Sequence, residues 1–179
     1  MKMEVVEKKV PINDENNKRK AGYYICDNLS LFYYRYIFKH SSQLNIMDSE
    51  VFYDKYIDED FETIYIPHRF EEICTQYLIR QNRLGAIEPV IEKIGKYYYD
   101  DPKTRTNGEF DVVSLDEKGY IFYEVNFRKK KTSKEVVEME ISQVKATGLN
   151  CYKYVFFSRA GFTEKETKEI KFIELGQMY

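Results

Sequence analysis

Apolar and polar positions follow a strand pattern most clearly in the middle of the chain. The runs Glu109–Leu115 and Tyr120–Phe127 are rich in β-branched and aromatic residues, and the polar turn Asp116–Gly119 separates them. This arrangement predicts a β-hairpin. Residues Lys96–Tyr99 predict a strand before the hairpin. The run Cys151–Phe157 is apolar almost throughout and predicts a strand buried on both faces.

Helical patterns lie on both sides of these strands. Apolar residues recur at the spacing of one helix face beyond Pro67, which we expect to kink or restart a helix there. The predicted helical stretches are Leu29–Lys39, Glu50–Tyr56, residues 60–83 and Lys134–Thr147.

The two ends of the chain predict smaller elements. Val5–Ile12 and Tyr23–Cys26 predict a short hairpin, and Asp27 or Asn28 is positioned to cap the helix that follows. From Glu166 onward the pattern fits a short helix or an edge strand. The order of elements is that of an α/β domain with one crossover connection.

The composition sets the size and class of the molecule. The chain has 179 residues, of which 43% are apolar and 32% charged, so it can bury the core of one domain, with or without a small appendage. No stretch approaches the ~18–20 uninterrupted apolar residues of a membrane span. Charged residues occupy the region where a signal peptide has its apolar block. We therefore expect no membrane partner and a cytoplasmic location.

Net charge and the numbers of cysteines and histidines exclude further classes of protein. The 28 Lys and Arg residues nearly balance 30 Asp and Glu residues, for a formal net charge of −2, so contact with a polyanion has to be local. The cysteines and histidines are few and far apart, which excludes a disulfide framework and a zinc cluster. They are Cys26, Cys74, Cys151, His40 and His68.

Two carboxylates occupy positions where a strand interior normally rejects them. Asp111 and Glu124 are flanked by apolar residues in the two predicted strands of the hairpin. Burying a carboxylate costs several kcal/mol unless a cation or a hydrogen-bond donor compensates it. One interpretation is that both hold a divalent cation, Mg²⁺ or Mn²⁺. The other is that they lie at strand ends, solvated or paired with Lys or Arg.

Several of these segments together resemble a known family. Gly108–Val113, followed by a turn and Ile121–Asn126, resembles the core of the PD-(D/E)xK nuclease superfamily, which has the restriction-endonuclease-like fold. More narrowly, the chain is similar to the C-terminal domain of archaeal-type (DEXX-box) ATPases. Three further segments carry that likeness: the N-terminal hairpin with the aromatic helix Leu31–Tyr36, the helix start Arg69–Cys74, and Tyr154–Phe162.

The resemblance implies an α/β fold with a restriction-endonuclease-like mixed central sheet flanked by helices. It assigns residues 1–47 to a winged-helix wing remnant with an aromatic linker helix, and residues 48–179 to the nuclease-like domain. The implied partners are DNA and an NTPase domain or subunit. The sequence has no Gly-x-x-x-x-Gly-Lys-Ser/Thr motif, so we expect no nucleotide cofactor and no ATPase activity in this chain itself.

The resemblance also assigns site residues. Asp111 matches the motif aspartate and Glu124 its second acidic residue, both as ligands of Mg²⁺ or Mn²⁺. Glu71 matches a glutamate of the first helix, as a third ligand. Helix geometry favours Glu71 over Glu72, because Glu71 flanks the apolar face and Glu72 points away from it. Gln143, on the later helix, matches a glutamine that some of these folds place near the metal.

One motif position departs from the family. The motif lysine lies two residues after the second acid, and here that position holds Asn126, whose amide cannot supply a positive charge. A lysine of the loop that follows, such as Lys129, is one replacement, and the other interpretation is that the loop is merely solvated. The loop also predicts a phosphate-contacting patch, made of Arg128, Lys129, Lys130, Lys131 and Lys134.

Three functions follow from these observations. The first is a DNA-associated module of an archaeal-type ATPase whose metal-dependent phosphodiesterase activity is weakened or lost because of Asn126. The second is an active Mg²⁺- or Mn²⁺-dependent DNA endonuclease that uses a displaced lysine. The third is an interaction module whose aromatic N-terminal helix docks onto an NTPase domain.

Overall fold

The chain forms two compact units, each with its own buried core. The structure, a computed structural model, describes residues 5–17, 19–101 and 106–179. The first unit contains the residues up to Val10 and Asn16–His68, and the second contains Pro11–Glu15 and Arg69–Tyr179.

Strands and helices follow one another in groups along the described part of the chain. The strands are β1 (Val6–Lys9), β2 (Gly22–Ile25), β3 (Lys93–Asp101), β4 (Thr106–Asp116), β5 (Gly119–Asn126), β6 (Cys151–Ser158) and β7 (Ile170–Glu174). The α-helices are α1 (Asn28–Phe32), α2 (Ser41–Leu44), α3 (Ser49–Tyr56), α4 (Asp58–Asp60), α5 (Ile66–Arg83) and α6 (Lys134–Ala146). Single π-helical turns cover Tyr33–Ile37 and Phe61–Tyr65, and 3₁₀ turns cover Phe38–His40 and Leu175–Gln177.

The first unit combines the N-terminal hairpin with helices α1–α4. Strands β1 and β2 pair antiparallel, and the side chain of Asp27 caps α1 by accepting a hydrogen bond of 2.6 Å from the Ser30 backbone amide. The core of the unit is mainly aromatic and comes from Tyr36, Phe52, Ile57 and Tyr65.

The division between the units differs from the predicted domain boundary. The sequence placed that boundary between residues 47 and 48, whereas the contacts divide the chain after His68. The reason is that Phe52, Ile57 and Tyr65 pack against Tyr36 in one core. The helices between residues 49 and 65 therefore complete the first unit.

The second unit is built on a mixed sheet of five strands in the order β3-β4-β5-β6-β7. Strands β3, β4 and β5 pair antiparallel as a meander, and β5, β6 and β7 pair parallel. Helix α6 makes the crossover from β5 to β6, which a parallel connection requires. The α/β fold class is confirmed: a mixed central sheet flanked by helices follows an N-terminal hairpin and helix.

One helix covers each face of this sheet. On one face, Phe70, Cys74 and Leu78 of α5 pack on residues that include Val112, Tyr123 and Phe157. On the other face, Val137 and Val144 of α6 pack on residues that include Phe110, Val113, Phe122 and Phe156. Because both faces are covered, neighbouring residues of a strand such as β6 are buried together.

Within the described residues, none of the helices has both the length and the apolar character that crossing a lipid bilayer demands.

Candidate functional site

Asp111 and Glu124 stand opposite each other where strands β4 and β5 part. The pairing of β4 with β5 runs from Asp116 opposite Gly119 to Val112 opposite Tyr123. Extending this register by one step would set Asp111 opposite Glu124, and the two residues line the same pocket. Residues that face each other across a strand pair point to the same side of the sheet. The two predicted ligands therefore converge.

A β-bulge turns Asp111 toward this opening. The register between β3 and β4 passes from Gly95 opposite Val113 to Tyr97 opposite Phe110, so that Lys96 alone faces two residues of β4. An extra residue of this kind re-aims the side chains next to it. As a result, Phe110 and Val113 both belong to the core beneath α6, although three positions separate them.

The opening is a small acidic pocket. Its volume is about 130 Å³, which exceeds the ~10–15 Å³ that one water needs and leaves room for a hydrated ion. Five carboxylates and one amide provide its polar lining: Glu71, Glu109, Asp111, Glu124, Glu140 and Gln143.

Both helices that flank the sheet contribute to this pocket. Glu71 comes from α5 and lines it, whereas Glu72 forms an ion pair with Arg69 at 2.8 Å. Glu140 and Gln143 come from α6, and the amide nitrogen of Gln143 donates a hydrogen bond of 3.1 Å to the hydroxyl of Tyr99. The structure therefore brings Glu71 and Gln143 to the same pocket as Asp111 and Glu124.

Glu124 lies in the most unfavourable electrostatic environment of the site. Burial is the largest cause that raises the pKa of Glu124, to about 8, and the charges of Glu140, Asp111 and Glu71 add to it in that order. The guanidinium of Arg128 opposes this effect. No ion pair of Glu124 is found among the described residues. The charged form of Glu124 is therefore disfavoured, and the charge of Arg128 offsets this only in part.

Glu140 contributes in the same direction. Burial raises the pKa of the Glu140 carboxyl, again against the effect of Arg128. Two half-buried carboxylates, Glu124 and Glu140, thus carry the unfavourable charge of the pocket.

Asp111 differs from Glu124 because it has a cationic partner. Its side chain is 50% exposed, and its Oδ1 lies 3.1 Å from Nζ of Lys96. The same Nζ lies 2.6 Å from Oε1 of Glu109. Burial acts to lower the pKa of Lys96, but the hydrogen bond to Glu109 and the charge of Asp111 outweigh it and raise that pKa. The alternative interpretation of the two acids was solvation or pairing with Lys or Arg. Of the two, Asp111 is the one with a lysine partner among the described residues.

Asn126 lies further along β5 and does not belong to the pocket lining. Its side chain is buried beside Ser158, its partner on β6. Among the described residues, its Oδ1 is a buried acceptor without a hydrogen-bond donor. The motif lysine position is thus occupied by a neutral side chain away from the acidic pocket.

The basic loop after β5 is exposed and lies outside the pocket lining. Arg128, Lys129, Lys130 and Lys131 are exposed, and Lys134 at the start of α6 lies 3.7 Å from Glu138. The charge of Arg128 nevertheless acts on Glu124 and on Glu140. Of the predicted basic residues, Arg128 thus acts on two carboxylates of the site.

Two residues of this region escape sequence-based prediction. Lys96 is far from Asp111 in sequence, and only the pairing of β3 with β4 brings them together. Glu140 lies one helical turn before Gln143, so the helix period gives a signal for it.

A ready-made metal cage is absent from this pocket. Across residues 5–17, 19–101 and 106–179, no group of three or more His, Cys, Asp or Glu side chains is gathered closely enough to hold a metal ion. The pair Asp111 and Glu124 is nevertheless the type of donor set that suits a hard cation, since Mg²⁺ is commonly bound by one or two carboxylates and keeps several waters.

Comparison with known proteins identifies the family. The sequence model of DUF234, described as archaeal and bacterial proteins of unknown function, matches residues 33–139, which is more than half of the chain. The chain belongs to the DUF234 family. The matched region of this DUF234 chain includes Glu71, Lys96, Asp111 and Glu124, and it ends just before Glu140.

Two individual proteins are similar to this DUF234 chain. The uncharacterized protein MJECL04 of Methanocaldococcus jannaschii is 27% identical over 157 residues, which cover 86% of this chain and 34% of that protein. The chain thus spans about a third of the length of this relative. The crystal structure of AF1548, a protein of unknown function, is similar with a TM-score of 0.39 and 13% identity, over 57% of this chain and 58% of that one.

Proposed function

We propose that the second unit of this DUF234 chain is a divalent-cation-dependent phosphodiester hydrolase of the PD-(D/E)xK type that acts on DNA. The observation that carries this proposal is the convergence of Asp111 and Glu124 at the point where β4 and β5 part. The order of its elements, with a meander followed by a helical crossover to a parallel strand, supports the likeness to the restriction-endonuclease-like fold.

The charge of the pocket supports a cation in this position. Glu124 has a raised pKa because it is buried among other carboxylates, and a bound cation would offset that cost. Asp111 and Glu124 would hold Mg²⁺ or Mn²⁺, with Glu71 next to them as a further oxygen donor. A cation held there would make a bound water more acidic and offset charge on the scissile phosphate.

The neighbouring basic residues support an anionic substrate. Arg128, together with the exposed lysines 129–131, concentrates positive charge next to the acidic pocket, although the chain as a whole is slightly acidic. Contacts of this kind with phosphates bind nucleic acid without sequence preference and weaken as salt concentration rises. This loop would therefore hold the DNA backbone near Asp111 and Glu124.

A second candidate function is a DNA-binding module that does not cleave. Asn126 is the observation that favours it, because a neutral amide stands at the motif lysine position. Under this alternative, DNA is retained by the basic loop and is not cut. The phosphodiesterase activity would then be weakened or lost.

We also propose that the partner of this chain is an NTPase domain or subunit of an archaeal-type ATPase. The likeness to the C-terminal domain of those ATPases supports this. The exposed aromatic residues Tyr33, Tyr34 and Phe38, whose rings contact one another, offer a docking surface.

Co-purification with an NTPase tests this partner. We expect it to be lost in a variant in which all three aromatic residues are replaced by serine. Unchanged co-purification would contradict this docking surface.

Cleavage of DNA in Mn²⁺ or Mg²⁺ tests the main proposal. We expect the wild-type chain to cut plasmid or single-stranded DNA. Asp111→Asn should reduce the rate by about 10²–10³-fold, because it weakens binding of the cation that would stabilise transition-state charge. Asp100→Asn, an exposed aspartate of β3, is the matched control and should cut at the wild-type rate. Equal cutting by wild type and Asp111→Asn would contradict the proposal, since it would indicate a contaminating nuclease.

A further inference from the structure

The strand pairing places one lysine beside two carboxylates that line the acidic pocket, although this lysine is not itself a lining residue. Lys96 comes from β3, on the side of β4 that faces away from β5, and the bulge sets it opposite both Asp111 and Val112. Its backbone is fixed there, because its carbonyl accepts a hydrogen bond of 2.8 Å from the amide of Ile12.

The side chain of Lys96 is directed to the two carboxylates of β4 that line the pocket. Its Nζ lies 2.6 Å from Glu109 and 3.1 Å from Asp111, and 29% of the side chain is exposed. A lysine in this position has given up most of its rotamer freedom and part of its hydration, which an exposed surface lysine retains. Its ammonium group is therefore held beside the atoms that would bind the cation.

We propose that Lys96 is the catalytic lysine of this DUF234 chain, and that it supplies from β3 the positive charge that Asn126 cannot supply from β5. This inference rests on the proposed phosphodiester hydrolysis. It further assigns Glu109 as a positioning residue, which keeps the ammonium group of Lys96 near the scissile phosphate when Asp111 is engaged as a ligand.

The chemistry requires a permanent positive charge at this point. In the hydrolysis, a water oxygen forms a bond to phosphorus, and the bond from phosphorus to the leaving oxygen breaks. One proton of the water passes to the solvent, and the leaving oxygen takes one proton from the solvent. Lys96 keeps its own protons throughout and stabilises the charge that grows on the non-bridging phosphate oxygens.

Other lysines near the site meet these conditions less well. Lys129, Lys130 and Lys131 belong to an exposed loop, whereas the side chain of Lys96 is 29% exposed. Lys93, on the same strand as Lys96, forms an ion pair of 2.7 Å with Glu15. The Nζ of Lys96, by contrast, lies 3.1 Å from Oδ1 of Asp111.

Cleavage kinetics of lysine variants test this inference. We expect Lys96→Met to lower kcat for Mn²⁺-dependent DNA cleavage by about 10²–10³-fold and to change KM little, because the charge acts in the transition state. Lys96→Arg should recover about tenfold of that loss, because a positive charge returns. Lys93→Met is the matched control and should retain the wild-type kcat.

A second readout separates catalysis from structural support. The rise in Tm that Mn²⁺ causes should persist in Lys96→Met, because Asp111 and Glu124 remain. A variant that has lost this rise along with its activity would show that Lys96 merely supports the ligands, which overturns the catalytic role. Wild-type kcat in Lys96→Met would overturn it as well.

The proposed function fails in a different way. If the wild-type chain cuts no DNA in Mn²⁺ or Mg²⁺, the proposed hydrolysis is wrong, and the role of Lys96 falls with it. If the wild type cuts and Lys96→Met cuts equally well, only the assignment of Lys96 is wrong.

Discussion

Replacing Glu124 with glutamine is expected to stabilise the cation-free protein at alkaline pH. In the unfolded chain this carboxyl releases its proton near its ordinary pKa of 4.5, whereas the folded protein keeps the proton up to a pKa of about 8. The folded state thus binds more protons between these two values. The free energy of unfolding therefore falls as the pH rises through this window.

The size of this effect follows from the shift in pKa. Each pKa unit corresponds to about 1.4 kcal/mol, which sets an upper bound of ~5 kcal/mol above pH ~8. Because Glu124 is only half-buried, we expect about 2–4 kcal/mol. Glu124→Gln should match the wild type near pH ~4.5 and exceed it by this amount near pH ~9. Urea denaturation in a chelator at several pH values measures the difference.

Two controls isolate the cause. Glu117→Gln, an exposed glutamate in the turn between β4 and β5, should give the same stability as the wild type at every pH. In Glu140→Gln, the loss of stability with rising pH should end at a lower pH than in the wild type. The reason is that Glu140 is the largest of the charges that raise the pKa of Glu124. A constant difference between Glu124→Gln and wild type at all pH values would contradict a raised pKa.

Divalent cations are expected to restore much of the stability that the wild type loses when Glu124 ionises. A ligand that binds only the folded state adds about 2.7 kcal/mol to the free energy of unfolding when its concentration is ~100 times its Kd. We expect Mn²⁺ to raise Tm in the wild type and in Glu117→Gln, and to raise it much less in Glu124→Gln and in Asp111→Asn. Calorimetry with and without Mn²⁺ measures these shifts.

The test depends on whether the Mn²⁺-induced rise in Tm is reduced only in the ligand variants, and not on the rise alone. Cations also bind weakly to any acidic surface, and such binding would raise Tm equally in all variants. An equal Mn²⁺-induced shift in wild type and Asp111→Asn would therefore contradict a cation held jointly by the two strands.

The fold follows from local signals to a large extent. The alternation in β4 and β5, the polar turn between them and the helical spacing in α5 and α6 all predict the element that the structure shows. The sequence left two alternatives for the last segment, and the structure has the strand β7 there. The predicted domain boundary between residues 47 and 48 stays a prediction, and the division into compact units depends on which apolar residues share a core.

The site is only partly accessible to sequence-based reasoning. Asp111, Glu124, Glu71 and Gln143 line one pocket, and each had a motif position or a helix phase that pointed to it. Lys96 had neither. Its position depends on a one-residue bulge between β3 and β4, which sets Lys96 opposite residues that are distant from it in sequence.

The choice of a substitute for the predicted motif lysine shows the same limit of sequence-based reasoning. From sequence, the lysines that follow Asn126 in the chain were the obvious substitutes, because they are adjacent in sequence. In the structure they lie in an exposed loop, while a lysine from a neighbouring strand contacts Asp111. Proximity along the chain is a poor guide when a sheet brings distant strands side by side.

Anomalous diffraction from a crystal soaked in Mn²⁺ tests most directly whether Asp111 and Glu124 hold one cation together. We predict a single strong anomalous peak between their two carboxylates, and its disappearance in a crystal of Asp111→Asn soaked in the same way. A pocket without such a peak in the wild type, or a peak that survives unchanged in Asp111→Asn, would contradict the account.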